Sequence, residues 1–560
     1  MSFQQSHRTT RQLILSSLVS LFFCALTPAV RADDPAPLPS SAELETSGAV
    51  IGQVIIRVKN IFDLEDPAED RRLYRWANHL HLMTRQRVIA DQLLFKTGDR
   101  FSQHALDESA RLLRTNRYLY DAQIRPVRYV RGNVRDNAGD KVDVEVVTHD
   151  VWTLNAGIGL GRSGGSNTTR FLLQDTNFLG TGKAVTFQRE TNVDRTTSLV
   201  RYDDKALFGT HGILSAAFAD NSDGKERSFD LEEPFYALDT RWAAGVSATL
   251  DDRVDSLYSL GHAIDYFHRQ SDSFELHGGL SNGLVNGWVR RWTAGFAYDH
   301  ERFGPAGQDR VTILIPENRT LSYPWVSFDL VQDRYSEARN LDQILRTEDL
   351  HLGSQAHFSL GFSSTAFGGD RNAAIFDVAL NTGLKPGVGQ TLLFGSDLSG
   401  RWGSGGGENV VLLTNARYYW RDFGEHLFFV TVEAGAAHHL DVDNQLLLGG
   451  DTGLRGYPLR YQDGDRRALI TLEQRFFTNY YPFRLLRIGA AVFFDAGRTW
   501  SGESARAPNL GLLKDAGVGL RLSPSRSGLG NVVHLDLAFP LDGDSSIKRV
   551  QWLVRTKASF

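Results

Sequence analysis

The sequence predicts a mainly β protein: a transmembrane antiparallel β-barrel that follows one small α+β domain. Helical spacing of apolar residues is confined to about the first 150 residues. After that point, short alternating apolar segments recur between turns rich in glycine, asparagine and aspartate. Beyond the N-terminus no apolar run is long enough for a membrane helix. The mean hydropathy of -0.28 is a value that alternating barrel strands also give.

The first 32 residues have the pattern of an export signal. Two arginines precede the apolar run 13–26, and Val30 and Ala32 occupy the small-residue positions before a cleavage site. The alternatives are a membrane anchor and a buried helix. The run is short for a membrane helix and no stop-transfer pattern follows it. We therefore expect a signal peptide at 1–32.

Cysteine usage and charge narrow the class of protein further. The single cysteine, Cys24, lies within the predicted signal peptide, so the mature chain would contain neither disulfides nor thiolate metal sites. An exported chain without cysteine suits a bacterial periplasm or outer membrane. The net charge of -5, from 61 basic and 66 acidic residues, lacks the basic excess of a nucleic-acid binder.

Two segments are predicted between the signal peptide and the barrel. Residues 33–48 are rich in proline, serine and acidic groups and are interpreted as a flexible linker. Residues 49–149 are predicted to form one α+β domain. Its predicted elements, in order, are a strand at 51–58, a helix within 68–83, a helix that starts at the N-cap Ser102, and strands at 124–130 and 142–147.

The last strand of the predicted barrel, which spans 150–560, has one apolar face. Trp552, Val554 and Phe560 lie on that face, whereas Arg555 and Lys557 lie on the other. A soluble sandwich would show the same alternation. The chain ends on this strand, and an unpaired terminal strand is an aggregation hazard that barrel closure removes. We therefore expect Trp552 and Phe560 to face lipid, around a polar lumen.

Four motifs, in this order, carry a family resemblance. They are LLFKTGDRFSQHALDESARLLRTNRYL at 93–119, LGGDTGLRGYP at 448–458, VFFDAGRTW at 492–500 and DAGVGLRLSPSRSGLGNVVHLDLAFPL at 515–541. With them the chain resembles the BamA/TamA superfamily of outer-membrane assembly and translocation proteins, of the bacterial surface antigen type.

The resemblance implies a barrel of about 16 strands that follows periplasmic POTRA domains. Residues 49–149 resemble one POTRA domain. BamA-like and TamA-like members carry several, whereas this chain has room for one. The departure leaves the particular machine, client and accessory partners unassigned.

The superfamily also implies a role for the glycine-rich loop. Its Arg-Gly-aromatic motif folds into the barrel, where the arginine meets acidic residues. Strand parity places Glu473 and Asp495 on the lumenal face, so we expect both to bind Arg455. Gly456 would allow close approach to the wall and a positive φ, and Tyr457 would pack against the interior. The alternative is an exposed Arg455 with ordinary lumenal charges.

Catalytic motifs are weak in this sequence. GRSGG at 161–165 matches a nucleophile pattern, but a turn follows it where a helix is needed. The histidine pairs 79/81 and 438/439 lack the spacing of a zinc site. We therefore predict no catalytic residue, no metal and no cofactor, and a barrel enzyme is the weakest hypothesis.

The favoured function is insertion or translocation of polypeptides at the bacterial outer membrane, with lipids as a further candidate cargo. Expected partners are outer-membrane lipids, unfolded outer-membrane or secreted polypeptides and periplasmic accessory proteins, but no nucleic acid. The predicted domain at 49–149 would lie in the periplasm. There it would bind clients by strand addition or serve as a rigid plug or spacer. The alternative function is a passive pore or transporter for small solutes.

Overall fold

The computed structural model describes most of the chain after residue 37. The described residues are 38–132, 139–307, 310–421, 426–500, 502, 508, 510–528, 532–543 and 545–557. The predicted signal peptide at 1–32 and Phe560 lie outside them. No helix within the described ranges has the length and apolar character needed to cross a membrane.

The N-terminal domain is a three-stranded sheet covered by helices. Its elements are α1 Ser41–Thr46, β1 Val50–Lys59, α2 Arg72–Leu80, α3 Gln86–Ala90, α4 Gln103–Arg114, β2 Leu119–Val130 and β3 Lys141–Asp150. The sheet order is β1-β3-β2, with β1 parallel and β2 antiparallel to the central β3. The core includes Ile51, Leu106, Leu113 and Val144, all fully or almost fully buried. The predicted order of strands and helices is therefore present, with α3 added.

Capping residues explain where two of these helices begin. Ser102 caps α4, as predicted, because its hydroxyl accepts a backbone N–H of the first turn at 3.3 Å. The segment 33–48, expected to be a flexible linker, contains α1. Ser40 and Glu43 form a capping box there, and Leu44 is completely buried in the domain core. The helix was not predicted because the segment is mostly polar and only Leu44 anchors it to the core.

The remainder of the chain is almost entirely β. Its strands are β4 Leu154–Ser163, β5 Ser166–Asp175, β6 Lys183–Thr191, β7 Thr196–Asp204, β8 Ile213–Asn221, β9 Gly224–Glu233, β10 Trp242–Ser259, β11 His262–Val285, β12 Trp288–Pro305, β13 Arg319–Gln332, β14 Tyr335–Ala338, β15 Glu348–His351, β16 Gln355–Ser363, β17 Ala373–Leu384, β18 Gln390–Gly403, β19 Gly406–Trp420, β20 His426–His438, β21 Leu446–Leu448, β22 Gln462–Gly464, β23 Arg466–Phe477, β24 Leu486–Trp500, β25 Leu513–Pro524, β26 Val532–Pro540 and β27 Gln551–Lys557.

Twenty of these strands close into one antiparallel barrel, so the expected count of about 16 is wrong. The short pairs β14–β15 and β21–β22 form separate hairpins within loops. The larger count fits because several turns use only two residues, which leaves chain for more strands. Leu260 and Gly261 make one such turn, and Asn286 and Gly287 make another, all four with positive φ. The count of about 16 came from the superfamily and therefore took no account of the short turns of this chain.

The two ends of the barrel differ. At one end, here called the domain end, the turns contact the N-terminal domain. The backbone N–H of Leu238 donates to the Glu108 carboxylate at 2.8 Å, and the Tyr74 hydroxyl donates to the carbonyl of Phe483 at 2.5 Å. The opposite end, here called the far end, carries the long loop at 439–465 between β20 and β23.

Candidate functional site

The loop at 439–465, here called the inward loop, is folded into the barrel. Leu454 and Tyr457 lie between the two strands of its hairpin, β21 and β22, and neither side chain is exposed. These side chains pack with Leu469 and Leu513 of the barrel wall in one apolar cluster. The loop therefore lies in the lumen because its own apolar residues have a wall to cover them.

Arg455 forms the central ion pairs of this loop. Its Nε and Nη2 lie 2.7 and 2.9 Å from the two carboxylate oxygens of Asp495, and its Nη1 lies 3.1 Å from Glu473 Oε2. This forked geometry is one that a lysine cannot reproduce. The guanidinium also lies 3.4 Å from the ring centroid of Phe493. All three charged residues are at least 96% buried.

Burial and charge act in opposite directions on the ionisation of this loop. Burial alone would lower the pKa of Arg455, but the carboxylates of Asp495 and Glu473 outweigh that effect and raise it. Burial raises the pKa of Tyr457 to about 12. At neutral pH the loop therefore presents a permanent cation to two buried acids and a neutral tyrosine to the wall.

Gly456 and Tyr457 fix the loop beside Arg455. A side chain at Gly456 would lie 2.7 Å from Cβ of Asp515, so the wall leaves room only for glycine. The expected positive φ at Gly456 is wrong, and close approach is the reason for glycine at this position. The Tyr457 hydroxyl is 2.8 Å from the carbonyl of Lys514 and 3.1 Å from that of Asp542.

A second loop enters the lumen from the domain end. This lower loop, residues 333–354, carries the hairpin β14–β15. Its Leu341 packs against Phe429 of the wall. Arg475 donates to the carbonyl of Leu341 at 2.5 Å, and it lies 3.3 Å from Asp342 Oδ1 and 3.2 Å from Glu473 Oε1. Glu473 therefore contacts both the arginine of the inward loop and the arginine that holds the lower loop.

The lower loop also contacts the N-terminal domain. Arg114 of α4 donates to both carboxylate oxygens of Asp349, at 2.7 and 2.5 Å, and to Glu337 at 3.0 Å. Arg346 of the loop donates to the carbonyl of Leu119 at 3.0 Å. A continuous series of polar contacts thus runs from α4 through the lower loop and Arg475 to the Arg455 cluster.

Barrel closure occurs between β27 and β4, a junction here called the seam. Among described residues, the only pair in register across the seam is Val554 with Arg162. Trp552 and Val554 lie on the outward face, and the Arg162 guanidinium is 4.8 Å from the Trp552 ring centroid. A cavity of about 620 Å³, lined by both strands and by the inward loop, lies at the seam.

The inward loop bridges the two seam strands from inside. The carbonyl of Gly450 accepts hydrogen bonds from Ser163 Oγ of β4 at 3.0 Å and from Arg555 Nη1 of β27 at 3.2 Å. Gly164, in the turn after β4, has a φ of +52°, and a side chain there would lie 2.3 Å from the backbone nitrogen of Leu459. The loop is thus packed tightly against the rim of the seam.

A second forked ion pair anchors the loop beyond the seam. Arg460 Nη1 and Nη2 each lie 2.6 Å from a carboxylate oxygen of Asp194, in the turn between β6 and β7. The Tyr258 hydroxyl donates to the same carboxylate at 2.8 Å. Burial would raise the pKa of Asp194, but the hydrogen bonds from Arg460 and Tyr258 outweigh it and lower that pKa. Arg455 and Arg460 therefore fasten the loop on opposite flanks of the seam.

The predicted site residues are partly brought together. Arg455, Gly456, Tyr457, Glu473 and Asp495 meet in the lumen, whereas Trp552 and Val554 lie on the outward face. Residues missed by sequence reasoning are Arg475, Asp342, Arg460, Asp194 and Gly450. Parity gave a signal for Arg475, since it shares the lumenal face with Glu473. Within the described chain, no group of three or more His, Cys, Asp or Glu residues could hold a metal ion.

Comparisons with known proteins give structural neighbours only. No protein-family model and no curated protein matches the chain. BamA from Haemophilus ducreyi lacking POTRA domains 1-3 matches with 12% identity and a TM-score of 0.38, over 91% of this chain and 85% of that chain. CdiB from Acinetobacter baumannii matches with 10% identity and a TM-score of 0.44, over 91% and 73%. CdiB from Escherichia coli matches with 11% identity and a TM-score of 0.43, over 91% and 77%.

All three neighbours match with 12% identity or less and with TM-scores below 0.5. Their low identities and TM-scores carry no argument about function. The functional reading therefore rests on the seam, the inward loop and the charges that join them.

Proposed function

We propose that this chain is a bacterial outer-membrane barrel that inserts or translocates polypeptides, with the seam as the place where clients enter or leave. The observation that carries the proposal is the seam itself. Among the residues that the structure describes, one pair in register joins β27 to β4, whereas β10 and β11 pair continuously from Trp242 to Leu257. Each lost backbone pair removes hydrogen bonds that hold neighbouring strands together, so the wall opens there at the lowest cost.

The inward loop serves as a latch in this proposal. It is held by Arg455 on one flank of the seam and by Arg460 on the other, and Gly450 binds both seam strands. Release of the loop would remove the Gly450 carbonyl, which accepts a hydrogen bond from a side chain of each seam strand. An extended client could then pair with the exposed edges of β27 and β4.

The N-terminal domain would face the periplasm as a POTRA-like mount. Hydrogen bonds and an ion pair hold this domain against the domain end of the barrel, which favours a fixed domain over one that moves independently of the barrel. The side chain of Arg526, in a barrel turn, donates to the carbonyl of Ile61 at 2.6 Å and is paired with Glu69. The backbone N–H of Arg85 donates to the carbonyl of Gly180 at 3.0 Å. Clients would meet the fixed outer edge of its sheet before they reach the seam.

A bridge across the seam tests the proposal. The variant Arg162→Cys/Val554→Cys, in a Cys24→Ser background, places two cysteines on paired positions of the outward face. Oxidation, or a short thiol-reactive crosslinker, would fix the seam. With this variant as the only copy in the cell, we expect loss of client proteins from the outer membrane or the medium, measured by quantitative proteomics and reversed by reduction.

The matched control fixes the strong part of the wall. Ala248→Cys/Phe274→Cys joins paired positions of β10 and β11 and should leave clients unchanged. Full client levels with the seam fixed would contradict the proposal and favour the alternative, a passive pore, which needs no lateral opening. The two loops that enter the lumen already disfavour that alternative.

A further inference from the structure

The outward face of the wall carries a cavity that the proposed function does not use. It has a volume of about 550 Å³ and lies on strands β5 to β9. Residues that are directly opposite on neighbouring strands lie on the same face of the wall, so the register identifies the outward side chains of this cavity. Phe171 is opposite Arg189, Phe187 is opposite Val200, and Val200 is opposite Phe218. Phe171 and Phe218 are 56% and 60% exposed, as outward side chains of a membrane barrel would be.

The side chains of the cavity form two outward rows at different heights, and the row nearer the rim holds two of the three cations. Arg189 lies two residues before the end of β6, and Lys225 and Arg227 lie at the start of β9. These strand ends belong to the far end of the barrel. Phe187 and Phe218 lie one outward row closer to the domain end, and Arg227 is opposite Phe218. A molecule bound here would therefore place a polar head at the rim and apolar chains below it.

The cations of this cavity are poorly neutralised. Among described residues, Lys225 and Arg227 have no carboxylate within 4.0 Å, and Arg189 has the Ser198 hydroxyl at 3.0 Å. Asp220, which is opposite Lys225, is the acid on the same outward face. By contrast, His268 on another part of the outward rim lies 2.6 Å from Asp252. The cavity lining holds these three cations and two acids, Asp220 and Glu226, and so keeps an excess of positive charge.

From these observations we propose that the cavity binds a phosphorylated, multiply acylated glycolipid of the outer leaflet. Arg189, Lys225 and Arg227 would hold the phosphate, for which arginine forks and lysine are suited. Acyl chains would lie against Phe187 and Phe218, in the row below Arg189 and Lys225. The placement of this rim in the outer leaflet rests on the proposed function, because the N-terminal domain is then periplasmic. The cavity volume is in the range of small-molecule sites.

Native mass spectrometry of the full mature chain tests this site. The chain, purified in detergent, would be titrated with bisphosphorylated lipid A, with dephosphorylated lipid A and with phosphatidylglycerol. We expect one bisphosphorylated molecule to bind per chain. The variant Arg189→Gln/Lys225→Gln/Arg227→Gln should weaken that binding on the order of 100-fold, from the loss of three cations near an anionic head group. Dephosphorylated lipid A should bind to the wild type as weakly as the bisphosphorylated form binds to the variant.

A control variant separates this site from general surface charge. Arg302→Gln removes an exposed rim cation on β12 that lies outside the cavity and bonds to His300 at 2.7 Å. It should leave binding unchanged. Equal binding by the triple variant, or equal binding of phosphatidylglycerol, would overturn the proposal. The crosslinked-seam experiment uses none of these residues, so a failure of lipid binding is distinguishable from a failure of the proposed function.

Discussion

Two stretches of the same barrel are closed in different ways. From β10 to β12 the wall is a continuous backbone ladder, in which Trp242 to Leu257 and then Phe267 to Ser281 are in unbroken register with their neighbours. At the seam, the described ladder holds only Val554 with Arg162. The first stretch needs no side chain to stay closed, whereas the second has almost no backbone pairing to rely on.

Two arginine side chains and one backbone carbonyl of the inward loop take the place of the missing ladder. Arg455 is fixed to β23 and β24, Arg460 to the turn after β6, and the Gly450 carbonyl to both seam strands. The difference teaches that the two stretches rely on different contacts: the long-strand wall on its own ladder, and the seam on a loop. Under the proposed function, release of that loop opens the seam.

The largest effect is expected from Arg455→Ala. The change leaves the buried carboxylates of Glu473 and Asp495 without their shared cation, which costs about 3–5 kcal/mol of the free energy of unfolding. Urea unfolding of the refolded barrel measures it. The inward loop should also become sensitive to added protease from the far end.

A surface cation provides the control for that change. Arg241 lies 3.9 Å from Asp239, both side chains being 63% exposed, so Arg241→Ala should cost at most about 1 kcal/mol. Arg455→Lys should fall between the two, since lysine keeps the charge and loses the fork. Equal stability of Arg455→Ala and Arg241→Ala would mean that the loop does not brace the barrel.

A smaller effect is expected on the other flank, from Asp194→Asn. The pair with Arg460 is only partly shielded from water, so its loss should cost about 1–2 kcal/mol. The folded pKa of Asp194 is lowered, so its contribution is complete above the unfolded value of about 4 and is lost as pH falls through the folded pKa. The stability difference between wild type and variant should therefore be constant from about pH 5 to 7 and shrink below about pH 4. A difference that grows on acidification would contradict the assignment.

The smallest effect is expected from Ser163→Ala. It removes one neutral hydrogen bond to the Gly450 carbonyl, which still accepts from Arg555, so about 1 kcal/mol or less should be lost. Thermal unfolding is sensitive enough to detect it. Ser198→Ala, on the outward face, is the matched control. A loss as large as that of Arg455→Ala would show that the seam strands, and not the charged flanks, carry the loop.

Sequence reasoning reached one flank of the loop and missed the other. Glu473 and Asp495 were predictable because period-two alternation places them on the lumenal face of strands near the motif that carries Arg455. The partner of Arg460 is Asp194, 266 positions away in a turn without a motif. No pattern in one sequence can specify a contact over that separation.

For the fold as well, local patterns were predictable from the sequence and other features were not. Alternation and turn residues predicted an antiparallel barrel, and the cap at Ser102 predicted where α4 begins. The strand count was wrong because it came from a resemblance, while the tight turns that accommodate twenty strands are a local property of this chain. The short helix α1 was missed because one buried leucine, Leu44, anchors an otherwise polar segment.

The central claim is that the inward loop holds a weak seam closed. Spin labels at Phe171→Cys and Leu520→Cys, both outward-facing, lie four strands apart across the seam in a Cys24→Ser background. Labels at Leu250→Cys and Phe358→Cys lie four strands apart across the long-strand wall. We expect Arg455→Ala to lengthen and broaden the seam distances, measured by double electron–electron resonance, and to leave the wall distances unchanged. Seam distances that stay narrow and unchanged in Arg455→Ala, with the loop already open to protease, would contradict the claim.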